Sequence, residues 1–383
     1  MRKGKEDVTR EEKARLASGR RKRTGSGVIV LSVLMVCTLL LAGILYGGMQ
    51  LQKWEKDREQ GEGGEEGSDP SGEPATPVLS GDVVYSQEEL DARIAEAVQA
   101  ADREEAQRIL GEIKDALSQG STTIETIRPL YPDDLVVVSG GRFHFLPINR
   151  SLKLNDYDVA NLNKLETGEF QYLTDGQVTS HKGIDVSSYQ EKIDWNLVAQ
   201  DGVEFAIIRV GLRGWGSEGT LKEDTQFRAN IEGAIAAGVK VGVYFFSQAT
   251  TEAEVDEEVQ FVLDRIAPYK IDCPVVMDVE KVSDSRARMN KLTPEERTAL
   301  ALRFCQAIEN AGYQPMLYHN TEMGALMLDI AAFEEYDKWY ASYSDKMFYP
   351  YAYKIWQYSD KGRVKGISTD VDMNICFEPV WAQ

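Results

Sequence analysis

The residues best suited to chemistry lie in Pro274-Val275-Val276-Met277-Asp278-Val279-Glu280, a short apolar run ending in two acids two positions apart. In a β-strand, residues i and i+2 point to one face. Asp278 and Glu280 would therefore project together from the end of a buried strand. Crowding two carboxylates raises the pKa of at least one. Cleavage of a glycosidic bond needs such a split, with one carboxyl protonated as acid and another ionised. The same tripeptide also fits a strand end running into a solvated loop, Asp-Val-Glu-Lys. The choice rests on what else converges there.

The elements around it read as strands at 183–187, 205–210, 239–246, 274–280, 315–318, 338–341, 354–358 and 371–374. Helices are read at 194–200, 223–237, 251–267, 293–311 and 322–334. Gly238 and Gly312 stand where helix C-caps belong. Thr251-x-x-Glu254 and Thr293-x-x-Glu296 read as capping boxes, with Pro294 at a first helical position. Alternating strands and helices predict an α/β fold, a closed (β/α)-barrel of eight strands. The last three strands lie only about a dozen residues apart, too close for helical crossovers. The barrel should thus have fewer helices than strands and lose them on its C-terminal side.

Chemistry in such a barrel sits at the C-terminal ends of the strands. Asp185 and Ser187 share a face on the first strand, Asp278 and Glu280 on the fourth. Asp372 and Asn374 share one on the last, which neighbours the first after closure. Three strands then aim acids into one mouth. Aromatic residues fall at the same level: Tyr244 and Phe246 on the third strand, Tyr318 on the fifth, Trp339 on the sixth, Trp356 and Tyr358 on the seventh. Sugar rings pack flat C–H faces on such side chains. Ordinary barrel core uses the same residue types, and Phe246 and Trp339 suit it equally. Arg209, on the second strand, is placed to pair with one of the acids, or with a surface partner.

Composition narrows the function. The 383 residues are 43% hydrophobic, enough for a sizeable core. Residues 1–25 carry ten Lys/Arg against four acids, and the remainder 33 bases against 58 acids, a net of −25. So acidic a body argues against a nucleic-acid partner. Val28 to Tyr46 is a run of 19 uncharged residues. At ~1.5 Å per residue it nearly matches a ~30 Å hydrocarbon core. It is longer than the ~7–15-residue apolar region of a cleaved leader, and Ala42-Gly43-Ile44 fits a cleavage site poorly. The expectation is a single-pass membrane anchor, with the basic tail cytoplasmic and the body outside. Cys273, Cys305 and Cys376 read as small buried hydrophobes; with three histidines and no ligand spacing, neither metal nor cofactor is expected.

Organisation follows from the same reading: a basic tail at 1–25, an anchor at 26–49 and a disordered Gly/Glu/Ser/Pro linker at 50–82. A helical stalk at 83–120 opens on the capping box Ser86-Gln-Glu-Glu89, and its interrupted apolar stripe allows weak self-association through 86–119. At 121–180 a small β-rich spacer carries a Gly-turn hairpin, 135–138 with 142–146. Tyr131, Phe143, Phe145, Tyr157, Phe170 and Tyr172 would be its core. The barrel occupies 181–383.

From about residue 182 onward the chain resembles the lysozyme-type muramidases of glycoside hydrolase family 25. The matching pieces are Gly183-Ile-Asp-Val-Ser-Ser-Tyr-Gln190 with Ile-Asp-Trp195, Ile208-Arg-Val-Gly211, Gly242-Val-Tyr-Phe-Phe246, Met277-Asp-Val-Glu280, Trp356-Gln-Tyr-Ser359 and Val371-Asp-Met-Asn374. The resemblance implies a flattened barrel with fewer helices than strands. It implies cleavage of the β-1,4 bond between N-acetylmuramic acid and N-acetylglucosamine in peptidoglycan glycan strands. It makes Glu280 the general acid, Asp278 the second carboxylate, Asp185 and Asp372 supporting acids, and Tyr244 the third-strand tyrosine. Asp278 could attack the anomeric carbon, or orient the substrate's own 2-acetamido group, the route proposed for the family. Phe245 and His319 depart from the family pattern and bear on substrate detail. A catalytically silent glycan-binding module, or a structural envelope protein, are the rival readings.

Overall fold

A computed structural model describes residues 87–381. The basic tail, the apolar run 28–46, the linker and Ser86 of the capping box lie outside the described residues. Helix α1 (Gln87–Ser118) begins in the first of two compact units, residues 1–103, and ends in the second, 104–383. Among the described residues no helix is long and apolar enough to cross a membrane.

A short helix α2 (Thr123–Ile127), held by a reciprocal Thr122–Glu125 capping box, leads into the hairpin of β1 (Asp134–Ser139) and β2 (Arg142–Pro147). Gly140 and Gly141 close it at φ 56° and 77°, left-handed values that glycine adopts without a Cβ clash. The hairpin expected from the sequence forms with Ser139 opposite Arg142. A three-stranded antiparallel sheet follows: β3 (Leu162–Lys164), β4 (Phe170–Thr174) and β5 (Gln177–Val178).

The barrel begins at β6 (His181–Val186) and α3 (Trp195–Gln200), continues with β7 (Phe205–Arg213) and the short β8 (Leu221–Glu223), then α4 (Phe227–Ala236), β9 (Lys240–Ser247) and α5 (Glu252–Ile266). β10 (Val275–Val279), α6 (Pro294–Asn310), β11 (Pro315–Asn320), β12 (Asp337–Ala341), β13 (Ile355–Gly362) and β14 (Val371–Cys376) complete it. Eight strands close through the β6–β7 pairing, with β8 an antiparallel flap on β7. All pairings around the ring are parallel except those of β14, which runs antiparallel to both β13 and β6.

Each strand is buried on both faces. Inside lie Phe205, Ile207, Val276, Met316, Trp339 and Ile355; outside, under the helices, lie Ile208, Val243, Met277 and Leu317. Cys273, Cys305 and Cys376 are buried and free, and burial pushes the last two thiols up to about 12.

Two expectations need correction. The helix read at 223–237 starts only at Phe227, because 221–223 pairs with β7 and Asp224 turns inward. The helix read at 322–334 is a π turn, Met323–Met327, followed by a 3-10 turn, Ile330–Phe333. Gly324 is pressed so close to the barrel that a Cβ there would sit 2.7 Å from His319 and from Tyr349.

With helices missing beside β11 to β14, the region 122–180 covers them instead. Phe170 packs 5.3 Å from Trp356 and 5.0 Å from Tyr358. Tyr157 stacks 4.1 Å from Phe377 and donates its hydroxyl to the Tyr353 carbonyl. Leu135 and Val137 join the apolar cluster that holds Met323 and Tyr340. Arg128 lies 3.3 Å above the Phe348 ring. Tyr131, Phe143 and Phe145, expected in this region's core, are instead 44%, 41% and 41% exposed: Phe143 and Phe145 lie on the hairpin face opposite to Leu135 and Val137, and Tyr131, just before β1, packs 4.6 Å from Phe145.

Candidate active site

Strand parity and the reversal of β14 build the site. In β10, Val275, Met277 and Val279 face the outer cluster, so Asp278 and the following Glu280 face inward. In β6, Ile184 and Val186 face out and Asp185 faces in. Asp372 is only the second residue of β14. In a parallel strand it would lie at the closed end. Because β14 runs backwards, Asp372 sits directly opposite Asp185, at the end where β10 delivers Asp278 and Glu280.

A hydrogen-bonded chain ties this end together. The buried Asp185 Oδ2 accepts from Gln357 Nε2 (2.7 Å) and from Asn374 Nδ2 (2.8 Å). Asn374 Oδ1 in turn accepts from Trp339 Nε1 (2.8 Å). Gln357 Oε1 accepts from the hydroxyls of Tyr318 (2.9 Å) and Tyr343 (3.2 Å). Five strands are thereby pinned at one level around Asp185.

The two tyrosines report on the acids near them. Burial, then the negative charge of Glu280, Asp278 and Asp185, drives the Tyr318 hydroxyl far above the tyrosine range. Burial of the Tyr343 hydroxyl, then the charge of Asp372, Asp185 and Glu280, does the same there, although 57% of that residue's surface is exposed. The hydroxyl faces the mouth while the ring edge meets solvent. Both stay neutral O–H donors. All four acids thus lie within electrostatic reach of a pair of tyrosines, beside an open cleft of about 370 Å³ lined by Glu280, Tyr318, Glu322, Ser342 and Tyr343.

Other expected residues are placed as follows. Tyr244 faces inward, 6.1 Å from Trp339, and Phe246 shares its face at the strand end, half-buried. Trp339 is buried at 1% exposure and forms the floor beneath Tyr318 rather than a surface for a ligand. Trp356 and Tyr358 face outward onto Phe170, so they do not line the mouth; the inward residue between them is Gln357. Arg209 does point inward, but its buried guanidinium bonds Asp224 (2.7 Å) and Ser188 rather than one of the four acids. Phe245 and His319 also face outward and are fully buried, so neither shapes the mouth. Gln357, Tyr343 and Asp224 were missed in the sequence. For Gln357 the signal was its alternation with the aromatics. Among the described residues no cluster of three or more His, Cys, Asp or Glu is arranged to hold a metal ion.

A barrel with inward carboxylates at one rim and an open cleft beside them is the build of a glycoside hydrolase. Residues 184–367 match the family described as Glycosyl hydrolases family 25. The chain is 30% identical over 205 residues to the uncharacterized protein YegX of Escherichia coli K12, covering 50% of this chain and 68% of that one. It is 27% identical over 194 residues to an autolytic lysozyme of Clostridium acetobutylicum, again 50% of this chain but 55% of the relative. Among solved structures, the modular autolysin LytC of Streptococcus pneumoniae aligns over 63% of this chain and 57% of its own, at 20% identity and a TM-score of 0.46. The chain spans little more than half the length of these last two. It belongs to glycosyl hydrolase family 25.

Proposed function

We propose that the protein is a peptidoglycan hydrolase, an N-acetylmuramidase that cleaves the β-1,4 bond between N-acetylmuramic acid and N-acetylglucosamine. The observation that carries this is the gathering of Asp185, Asp278, Glu280 and Asp372 about the Tyr318 and Tyr343 hydroxyls, at the rim of one cleft. The family match and the name of the clostridial relative support the same reading.

In this reading Glu280, at the cleft wall, gives its proton to the leaving oxygen. Asp278, one turn of the pleat below and beside Tyr318, orients the substrate's 2-acetamido group. The acetamide oxygen attacks the anomeric carbon as the glycosidic bond breaks. Glu280, now ionised, takes a proton from the water that opens the ring so formed, giving retention. Asp185 and Asp372 add negative charge that favours the oxocarbenium-like transition state. The neutral tyrosines offer hydrogen bonds to sugar hydroxyls. Replacing Glu280 with Gln should abolish release of reducing ends from purified cell wall with the fold unchanged by circular dichroism; full activity in that variant refutes the assignment.

We place this activity at the outer face of a membrane, held by residues 28–46 through the acidic linker. Support comes from the uncharged run and the basic residues before it. The intact mass of the protein from membranes tests it, since loss of the first 45 or so residues would mean a cleaved leader. Weak pairing through α1, where Leu110 is 49% exposed, belongs to the same proposal.

A further inference from the structure

The hairpin of β1 and β2 precedes the residues that match the family, yet its tip reaches the cleft rim. Ser139 donates its hydroxyl to Glu322 Oε1 at 2.6 Å, and Glu322 lines the cleft together with Glu280. Lys281, which follows Glu280 in the chain, donates to the same oxygen at 2.6 Å. Burial opposes ionisation of Glu322, but Lys281, Ser139 and the nearby His144 outweigh it and hold the carboxyl below its usual range.

One face of the hairpin changes character along its length. Register places Leu135 opposite Leu146, Val137 opposite His144 and Ser139 opposite Arg142, all on one side. Leu135 and Val137 are buried in the apolar cluster, His144 is half-buried beside Glu322, and Arg142 is exposed at the tip. Arg142 makes no ion pair with any described residue. Arg142 is thus an exposed cation paired in register with Ser139, the residue whose hydroxyl reaches the cleft wall at Glu322, and that wall carries the carboxylates of Glu280 and Glu322.

We propose that this tip is an additional subsite, with Arg142 binding a carboxylate of the peptide carried on the lactyl group of the sugar. This rests on the peptidoglycan reading above, and it assigns the hairpin a part in substrate choice. A glycan stripped of its peptide keeps only the lactyl carboxylate, held at the sugar ring, and presents no anion further out along a peptide. A peptide-bearing one presents carboxylates that the acidic mouth repels and a guanidinium fork accepts.

The test uses the full chain carrying Glu280→Gln, so that ligands survive, and measures binding of soluble wall fragments before and after enzymatic removal of their peptides. The Glu280→Gln protein should prefer the peptide-bearing fragment. Adding Arg142→Ala should cut that preference about three- to tenfold, and Arg142→Lys by less. Equal preference in all three proteins, or no preference in the parent, overturns the proposal. The wild-type chain on purified wall supplies the separate control. If it cleaves nothing while the Arg142-dependent preference persists, the hydrolase reading fails and the subsite stands.

Discussion

Replacing Gln357 with Leu tests whether the mouth is held by the network around Asp185. The change shortens the side chain by one atom and removes both polar atoms. Asp185 loses a charge-assisted bond of 2.7 Å, worth about 1.5–3 kcal/mol. Tyr318, only 6% exposed, loses the acceptor of its hydroxyl, at a cost of about 1–3 kcal/mol. Tyr343 loses little, since its exposed side can turn to water. The added apolar contact returns about 1 kcal/mol. The net expectation is a loss of about 1.5–5 kcal/mol. For a domain of this size that lowers Tm by roughly 3–20 °C, read by calorimetry of the full chain. Hydrolysis of purified wall should fall about a hundredfold, because Asp185 and Tyr318 lose their fixed positions. A Gln357→Glu variant should instead recover stability as pH falls, when its protonated carboxyl can again donate to Asp185. A Tm within about 2 °C of wild type, with unchanged hydrolysis, would show that the network is ornamental and refute the reasoning.

Two buried groups make opposite pH dependences. Burial raises Glu258 to about 7 despite its bonds to Ser247 and Arg213, so it favours the folded state at low pH and loses that advantage as pH rises from about 4.5 to 7. Burial lowers His319 to about 4, so its contribution is present above its unfolded pKa of 6.5 and lost as pH falls towards 4. Each amounts to about 3 kcal/mol, and in the wild type they offset each other across the shared window. Thermal melts of His319→Gln should therefore show stability falling with rising pH, and melts of Glu258→Gln the reverse; parallel profiles in the two variants would contradict this. Trp356→Ala should cost about 3–5 kcal/mol by opening a cavity against Phe170, and substrate affinity measured below its melting range should stay near wild type. A specific loss of glycan binding at full stability would restore Trp356 to the mouth.

The eight strands were legible because each is an apolar run bounded by glycine, proline or a capping residue. The convergence of acids was legible because Asp185, Asp278 and Glu280 share the parity of strands whose ends could be placed. The error at Trp356 and Tyr358 has a physical cause. Both faces of β13 are buried, one by the barrel interior and the other by Phe170. A doubly buried strand shows no polar alternation to separate inside from outside. The direction of β14 was likewise hidden, since its hydrophobic pattern is the same either way; only its short connection to β13 hinted at an antiparallel turn. The partner of Arg209 could not be read because Asp224 lies in what looked like a helix. The fate of 122–180 was invisible for a related reason. Its aromatics are those of a small independent core, and only the missing crossover helices explain why Tyr157 and Phe170 are spent on the barrel instead.

The reversed strand has a kinetic corollary. Asp185 meets Asn374 across 189 positions of sequence, a seam joining the first stave of the cylinder to the last. Contacts so distant along the chain form late in folding, after the loop entropy has been overcome. A ribosome that has released only the staves before β14 has released a scaffold with three of its four acids in place and no finished mouth. Glycoside hydrolase activity would then switch on only when the cylinder seals.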